Sequence, residues 1–403
     1  MNRNRGEGEV ARVADAGRPD IELSIVMPCL NEARTLPVCI RKAQEAIARH
    51  GLAAEIIVAD NGSTDGSREI ASELGARVVP IEARGYGAAL SGGIAAARGR
   101  FVIMGDADDS YDFGEIFPFV EKLRQGDEMV MGCRLPSGGG TIMPGAMPLK
   151  NRLIGNPILS WIGRVLFRSH VKDFHCGMRG FRRDAILNLD LHTTGMEYAS
   201  EMVIKAVVQG TRIGEIPITL HKDGRDRPPH LRPWRDGWRH LRFMLLMSPR
   251  WLFLLPGLLL LAAGAAGMAW LLPGPRYIGR ICFDSTTLLV AAMVFLVGFQ
   301  IVVYAIFARL FAITEGLLKP DAMLTRISNA MSLEGGIIAG LILFAGGLGL
   351  LGYAVWAWGQ HGFGSVNAGW IQRLAIPALT AMVLGVQVVF SSFFVSTLTL
   401  SRR

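Results

Sequence analysis

Four long uncharged runs, at 251–272, 285–308, 335–358 and 374–400, restrict this chain more than any other feature. Each exceeds the roughly 20 residues with which a helix crosses the hydrocarbon layer, so the sequence predicts four membrane-spanning helices. Only 12 charged residues fall in the 153 from position 251 onward, against 64 in the 250 before them. The chain is therefore neither one soluble globule nor a bare membrane protein, because 250 charged, mixed residues suffice for a full domain. Basic residues set the expected orientation. Arg239, Arg242 and Arg250 precede the first run, Arg309, Lys319 and Arg326 separate the second and third, and Arg402 and Arg403 follow the fourth. The other side has Arg276, Arg280 and Arg373. Basic loops stay inside, so the soluble domain and both ends are expected in the cytoplasm, with the chain integral to a bacterial inner membrane.

Residues 1–20 are polar, lack an apolar signal core and read as a disordered leader. A catalytic domain is expected over 21–220, a basic amphipathic segment over 221–250 and the membrane domain over 251–403. Cys29, Cys39, Cys133, Cys176 and Cys282 form no C-x-x-C pair and are odd in number, which fits core filling in a reducing compartment.

In the soluble half, short apolar runs at 21–27, 55–59, 77–81 and 101–105 alternate with helical segments at 35–50, 67–74 and 87–97. Apolar runs without clear alternation, separated by helices, predict a mostly parallel sheet covered on both faces. Further on, helices are expected at 114–124, 151–168 and 197–209, and strands at 128–131 and 212–220, with a Gly/Pro-rich loop at 133–148. In such α/β sheets ligands bind beyond the carboxyl ends of the strands. That rule selects 28–32, 60–65 and 106–109.

The strongest chemical signal is Gly105-Asp106-Ala107-Asp108-Asp109 at the end of an apolar run. Carboxylates two apart, leaving a strand into a turn, suit a hard divalent cation, Mg2+ or Mn2+, that also takes substrate phosphates. The same residues suit an Asx-rich turn capping the next helix. Asp60-Asn61-Gly62-Ser63-Thr64-Asp65-Gly66-Ser67 is a second polar strand end, which alone also fits an ordinary turn and N-cap.

With Ser24-Ile25-Val26-Met27-Pro28-Cys29-Leu30-Asn31-Glu32 and Arg84-Gly85-Tyr86-Gly87-Ala88-Ala89 added, the order and spacing resemble the family 2 glycosyltransferases, whose soluble domain is a GT-A α/β fold. Gly132-Cys133-Arg134, the run from Asp173 to Phe181 and Gly214-Glu215-Ile216-Pro217-Ile218 resemble the polyprenyl-phosphate branch that includes dolichol-phosphate mannose synthases. The resemblance covers 21–246. It implies transfer of a hexose, glucose or mannose, from a UDP- or GDP-sugar to polyprenyl phosphate, by single displacement with inversion. It also implies that Pro28, Glu32, Asp60 and Asn61 line the nucleoside pocket and that Arg84 and the turn at Gly85 lie near the base and diphosphate. Asp106 and Asp108 would hold the metal. Two positions depart from the family pattern: Asn61 replaces the second acid of Asp-Asp-Gly-Ser, and Ser110 stands where a Gln ligand is common.

The implied acceptor is a phosphate monoester, largely dianionic at neutral pH because its second pKa is about 6, so it needs little help from a base. It needs positive charge, which selects Arg134, Arg179, Arg225 and Arg227 as acceptor-phosphate candidates. For a base or positioning carboxylate the choice is Asp173, then Asp109. In 221–250, Trp234, Trp238, Leu241 and Leu245 recur at helical spacing beside Arg235, Arg239 and Arg242, as in a helix lying in a membrane interface. The following apolar run argues against nucleic acid as the partner of these basic residues. His175 and His230 lack ligand-like spacing and read as packing or polar contacts. An alternative acceptor is another lipid or a polysaccharide, although the Gln-x-x-Arg-Trp segment of processive synthases is absent. The near absence of charge within the runs argues against ion translocation. The sugar, the base, the lipid length and the oligomeric state, homo-oligomer or monomer, stay open.

Overall fold

The structure, a computed structural model, describes residues 21–226, 233–314, 332–360, 362–363 and 368–399. The expected leader, Arg227, His230, Lys319, Arg326, Arg402, Arg403 and the side chain of Trp234 lie outside the described residues. The chain divides into two compact units, Met1–Met244 and Leu245–Arg403.

The first unit opens with β1 (Leu23–Cys29), α1 (Leu36–His50), β2 (Ala54–Asp60), α2 (Ser67–Glu73), β3 (Arg77–Pro80), α3 (Tyr86–Ala96) and β4 (Phe101–Met104). It continues through α4 (Phe117–Arg124), β5 (Met129–Cys133), the short β6 (Thr141–Ile142) and α5 (Asn156–Phe167), which is entered through a π turn at Asn151–Gly155. Then follow β7 (Arg179–Arg182), α6 (Arg183–Leu187), α7 (Tyr198–Gln209), β8 (Ile213–Pro217), β9 (Thr219–Leu220) and α8 (Pro233–Leu246). β1 is buried along its length apart from Pro28, as a strand covered on both faces must be. α1 turns Cys39, Ile40, Ala43 and Ala46 onto that sheet and stops at Gly51, whose φ of 58° closes the helix in the left-handed region.

The sheet has seven strands in the order β3-β2-β1-β4-β7-β5-β8. β1 runs parallel to both β2 and β4, with Cys29 opposite Asp60 and Val26 opposite Met104. Strand order reverses between β1 and β4, so their carboxyl ends open the crevice in which such sheets bind ligands. The three strand ends selected from the sequence meet there.

The sheet is mostly parallel, as expected, and is mixed because β7 runs antiparallel between β4 and β5. Two expectations need correction. The strand expected at 212–220 divides at Pro217, with β8 in the main sheet and β9 paired to β6. The helix expected at 114–124 is a 3-10 turn, Phe113–Glu115, followed by α4, which has a proline at its start.

The second unit contains α9 (Leu255–Leu271), the hairpin β10 (Arg276–Ile278) and β11 (Ile281–Phe283), α10 (Ser285–Thr314), α11 (Leu333–Gly359) and α12 (Ala368–Thr399). Four helical stretches, Arg250–Leu271, Ser285–Thr314, Leu333–Gly359 and Gly369–Thr399, are long and apolar enough to cross a membrane. α9 and α10 touch backbone to backbone: a Cβ on Gly264 would lie 2.4 Å from the Phe295 nitrogen, and one on Gly298 2.3 Å from that of Leu261. Gly347 packs closely on Ala378, whereas Gly346, Gly349 and Gly352 face open space, so only some of the glycines in α11 serve helix packing.

Candidate active site

The loops after β1 and β2 brace each other. Asn31, with φ of 58°, accepts from the Thr64 amide at 2.8 Å, while the amides of Asn31 and Glu32 donate to Ser63 Oγ and Ser67 Oγ, each at 2.9 Å. The Ala33 amide donates to Asp65 Oδ2 at 3.0 Å. The polar residues of Asp60 to Ser67 thus fix two strand ends relative to one another. Asp60 is fully buried and accepts from the amides of Gly62 and Ser63 and from Arg68 Nε at 2.5 Å. Burial alone would raise its carboxyl, but the hydrogen bonds from Ser63, Arg68 and Gly62 outweigh it and hold the group below the usual carboxylate range.

Asn61 explains its own departure from the family pattern. Its amide nitrogen donates to the Ile81 and Ala83 carbonyls at 3.1 and 2.7 Å, and its oxygen accepts from the Gly85 amide at 2.8 Å. An aspartate has no proton to give those two carbonyls. Asn61 is therefore a clamp on the loop that carries the exposed Arg84. Gly85, with φ of 131°, is held against Thr194, where a Cβ would come within 2.2 Å of the carbonyl oxygen. The Gly87 and Ala88 amides both donate to that same oxygen, so the start of α3 is occupied by protein. The Gly85 turn is therefore packed tightly on Thr194.

After β4, Asp106 receives the Tyr86 hydroxyl at 2.9 Å and is backed by Gly177, on which a Cβ would lie 3.0 Å from Asp106 Oδ2. Burial, then the neighbouring Asp108 charge, pushes its carboxyl up to about 6. Asp108 is buried and accepts from both the amide and the hydroxyl of Ser110, so it does form an Asx turn. Its second oxygen meets Arg225 Nη1 at 2.9 Å, and Arg225 also grips Glu32 through Nη2 at 2.6 Å and Nε at 2.9 Å. Main-chain bonds from His221 to Ser110 and from Gly224 to Asp108 lay this segment over the turn. Asp109, with φ of 63°, pairs with Lys42 at 2.8 Å. Pro28 is half-buried at the end of β1.

Among the described residues no set of three or more His, Cys, Asp or Glu side chains is placed to enclose a metal. Two mutually repelling carboxylates, Asp106 and Asp108, are nonetheless a hard-oxygen donor pair of the type that shares Mg2+ or Mn2+ with substrate phosphates, and they fit such an ion.

Asp173, Arg134 and Arg179, also selected from the sequence, lie deeper in the domain. Asp173 is fully buried and takes Arg134 in a two-pronged pair, Nε at 2.8 Å and Nη2 at 2.9 Å, together with the Arg134 amide at 3.0 Å. Burial raises its carboxyl, but the Arg134 charge and hydrogen bonds outweigh that and leave a weak base. Arg134 is buried too, and its remaining nitrogen points to the Tyr111 hydroxyl at 3.4 Å. Arg179 is fully enclosed and donates to the carbonyls of Cys176, Ala199 and Phe174. Both guanidinium groups are thus buried among protein partners. Of the arginines selected from the sequence and described here, Arg225 alone stands at the carboxylates.

Residues 24–190 match the model of "Glycosyl transferase family 2", and 306–399 match "Glycosyltransferase family 2 C-terminal transmembrane region". A similar curated protein is the low-salt glycan biosynthesis hexosyltransferase Agl6 of Haloferax volcanii, 36% identical over 93% of this chain and 89% of that protein. A dolichyl-phosphate hexose transferase of the same organism is 30% identical over 49% of this chain and 82% of its own length. Among solved structures, a glucosyl-3-phosphoglycerate synthase from Mycobacterium tuberculosis, in complex with Mn2+, UDP and glucosyl-3-phosphoglycerate, matches with a TM-score of 0.45 and 23% identity over 62% of this chain and 85% of that one. With a GT-A-like domain on a mixed sheet followed by four long apolar helices, this chain belongs to glycosyltransferase family 2.

Proposed function

We propose that the enzyme moves one hexose from a nucleotide diphosphate sugar to a polyprenyl phosphate at the cytoplasmic face of the membrane, with Mg2+ or Mn2+ and with inversion. The observation that carries this reading is Arg225 joined to Glu32 and Asp108 at the strand switch beside Asp106. A fixed guanidinium next to two carboxylates suits a phosphate-rich ligand that brings its own counter-ion. The hexosyl and lipid-phosphate assignments are supported by the two Haloferax relatives.

The nucleoside would lie over Pro28, Glu32 and the braced Asp60 turn, with Arg84 at the rim. Mg2+ or Mn2+ on Asp106 and Asp108 would neutralise charge on the departing diphosphate. Arg225 sits where it can swing from Asp108 to a phosphate oxygen while keeping Glu32. The acceptor phosphate attacks as a dianion, so the absence of a strong base is no obstacle: Asp173 is held by Arg134 and Asp109 by Lys42. A lipid acceptor also accounts for two exposed apolar helix faces. In and before α5, Leu153 is 68% and Trp161 56% exposed, beside Ile154 and Ile158. In α8, Trp238 is 59% exposed and flanked by exposed Arg235 and Arg242, whereas Asp236, His240 and Met244 form the buried stripe. These outer faces would rest in the bilayer interface.

The test is a panel of UDP- and GDP-hexoses offered to the purified full-length protein with undecaprenyl or dolichyl phosphate. One sugar should be transferred, and chelation by EDTA should abolish the transfer. No transfer from any donor would refute the proposal.

A further inference from the structure

The loop 173–177 is gripped from two sides. From α5, the buried Ser160 Oγ accepts the Phe174 amide at 3.2 Å, and Gly163 abuts the Phe174 ring, to which a Cβ would come within 3.1 Å. From α7 and α8, Ser200 Oγ stands 2.8 Å from His240 Nδ1 and 3.5 Å from His175 Nε2, and the two imidazoles meet edge to face at 4.8 Å between centroids. One hydroxyl can donate to one ring nitrogen and accept from the other ring, so Ser200 serves both histidines. At its far end the same loop touches the site: the Gly177 amide donates to Tyr111 Oη at 2.8 Å, and Gly177 packs directly on Asp106. Asp173, at its start, holds Arg134.

We propose that the loop 173–177 is the joint through which α5 and α8 set the position of Asp106, with Ser160 and His240 as positioning residues. Both helices turn a tryptophan-bearing face outward, apolar in α5 and flanked by arginines in α8, and a buried polar contact inward, onto one five-residue segment. A shift of either helix must therefore be taken up by Phe174 or His175 and passed to Gly177, because close-packed interiors transmit displacement with little slack. Burial holds both imidazoles below the ordinary histidine value, so the joint is neutral and short-ranged. That the outer faces meet a bilayer rests on the function proposed above; the joint itself does not.

The test uses the full-length protein in lipid nanodiscs. His240→Leu keeps bulk and removes the ring nitrogens, while His240→Asn returns a polar group near Nδ1. In His240→Leu, hydrogen exchange at 173–177 should quicken by about tenfold, the size expected for one buried hydrogen bond, with β1 unchanged. The kcat of transfer should fall by a similar factor at unchanged donor KM, and His240→Asn should recover both. Unaltered exchange in the loop, or Leu and Asn variants that behave alike, would overturn the joint. Should His240→Leu not fold, Ser160→Ala must quicken the same amides from the opposite side, and its failure to do so counts equally against the proposal. If wild-type protein transfers no sugar, the functional reading fails, and the exchange data still decide the joint.

Discussion

At the carboxyl edge of the sheet, side chains meet through hydrogen bonds and ion pairs fixed in direction, whereas the membrane helices meet where glycines remove atoms. The first region contains Asp60 with its amides and Arg68, Asn61 with three main-chain partners, and Arg225 between Glu32 and Asp108. In the second, the described contacts are of the kind Gly264 makes with Phe295, and the one ion pair among the described residues is Arg373 with Asp284. Directional bonds fix where an atom points; missing side chains fix how near two backbones come. The first region can therefore lose its chemistry by losing one polar atom while its fold survives. The second loses packing when an atom is added.

The largest effect expected follows from the first half of that contrast. Asp106→Ala or Asp108→Ala should lower turnover by about a thousandfold or more, the scale of lost charge stabilisation, with melting nearly unchanged on the same sample. Loss of folding instead would reduce the pair to the Asx turn that Asp108 forms with Ser110. Arg225→Ala should lower turnover by about a hundredfold, and Arg225→Lys should restore little of it, because a point charge cannot bridge Glu32 and Asp108 as a fork does. A lysine variant of full activity would show that charge alone suffices.

The second half predicts that Gly298→Leu lowers melting of the membrane unit by the equivalent of about 1–3 kcal/mol, with activity per folded molecule retained. A silent substitution would mean that the helices do not touch there. Asn61→Asp should loosen the loop carrying Arg84 by about 1–3 kcal/mol and raise the donor KM, since two carbonyls lose their donor. If KM for the donor is unchanged, Asn61 is not the clamp described.

The smallest effect is on pH. Burial, then the charge of His240, holds His175 well below the ordinary value of 6.5, and burial holds His240 below it. At these two groups the unfolded chain takes up protons first as pH falls, so their contribution to stability is full above 6.5 and declines below it. Asp173, Arg134, Arg179, Asp236 and Glu197 supply the surrounding charges, and depressed Asp173 acts only as pH drops below its ordinary 3.8. Asp106, pushed up to about 6, acts with the opposite sign in both proteins, so the histidines are read by difference: from about pH 7 to about pH 5 the melting of wild type should fall relative to that of His240→Leu. Equal slopes would remove the histidines from the explanation.

Much of this was legible in the residues. Apolar runs marked β1, β2 and β4 because strands covered on both faces carry no polar alternation, and length marked the four long helices. β7 escaped because Arg-Gly-Phe-Arg looks like surface, yet Arg179 is buried with its charge delivered to main-chain carbonyls. Asp106 and Asp108 were selected from a strand end and Arg225 from its charge, and the structure brings the three side chains together. The pairing of Asp173 with Arg134 was not legible, because residues 39 positions apart carry no spacing signal. His175 reads as a packing or polar contact, but its partners Ser200 and His240 were not legible, because residues 25 and 40 positions apart carry no spacing signal.

The most direct test of the central claim, that Asp106, Asp108 and Arg225 form a site for hexosyl transfer to a lipid phosphate, is mass spectrometry of the lipid product. Full-length enzyme in nanodiscs, given polyprenyl phosphate, its donor and Mg2+ or Mn2+, should yield lipid phosphate heavier by one hexose. Asp108→Ala should yield none. Lipid product from the variant, or a sugar found only on another acceptor, would contradict the account.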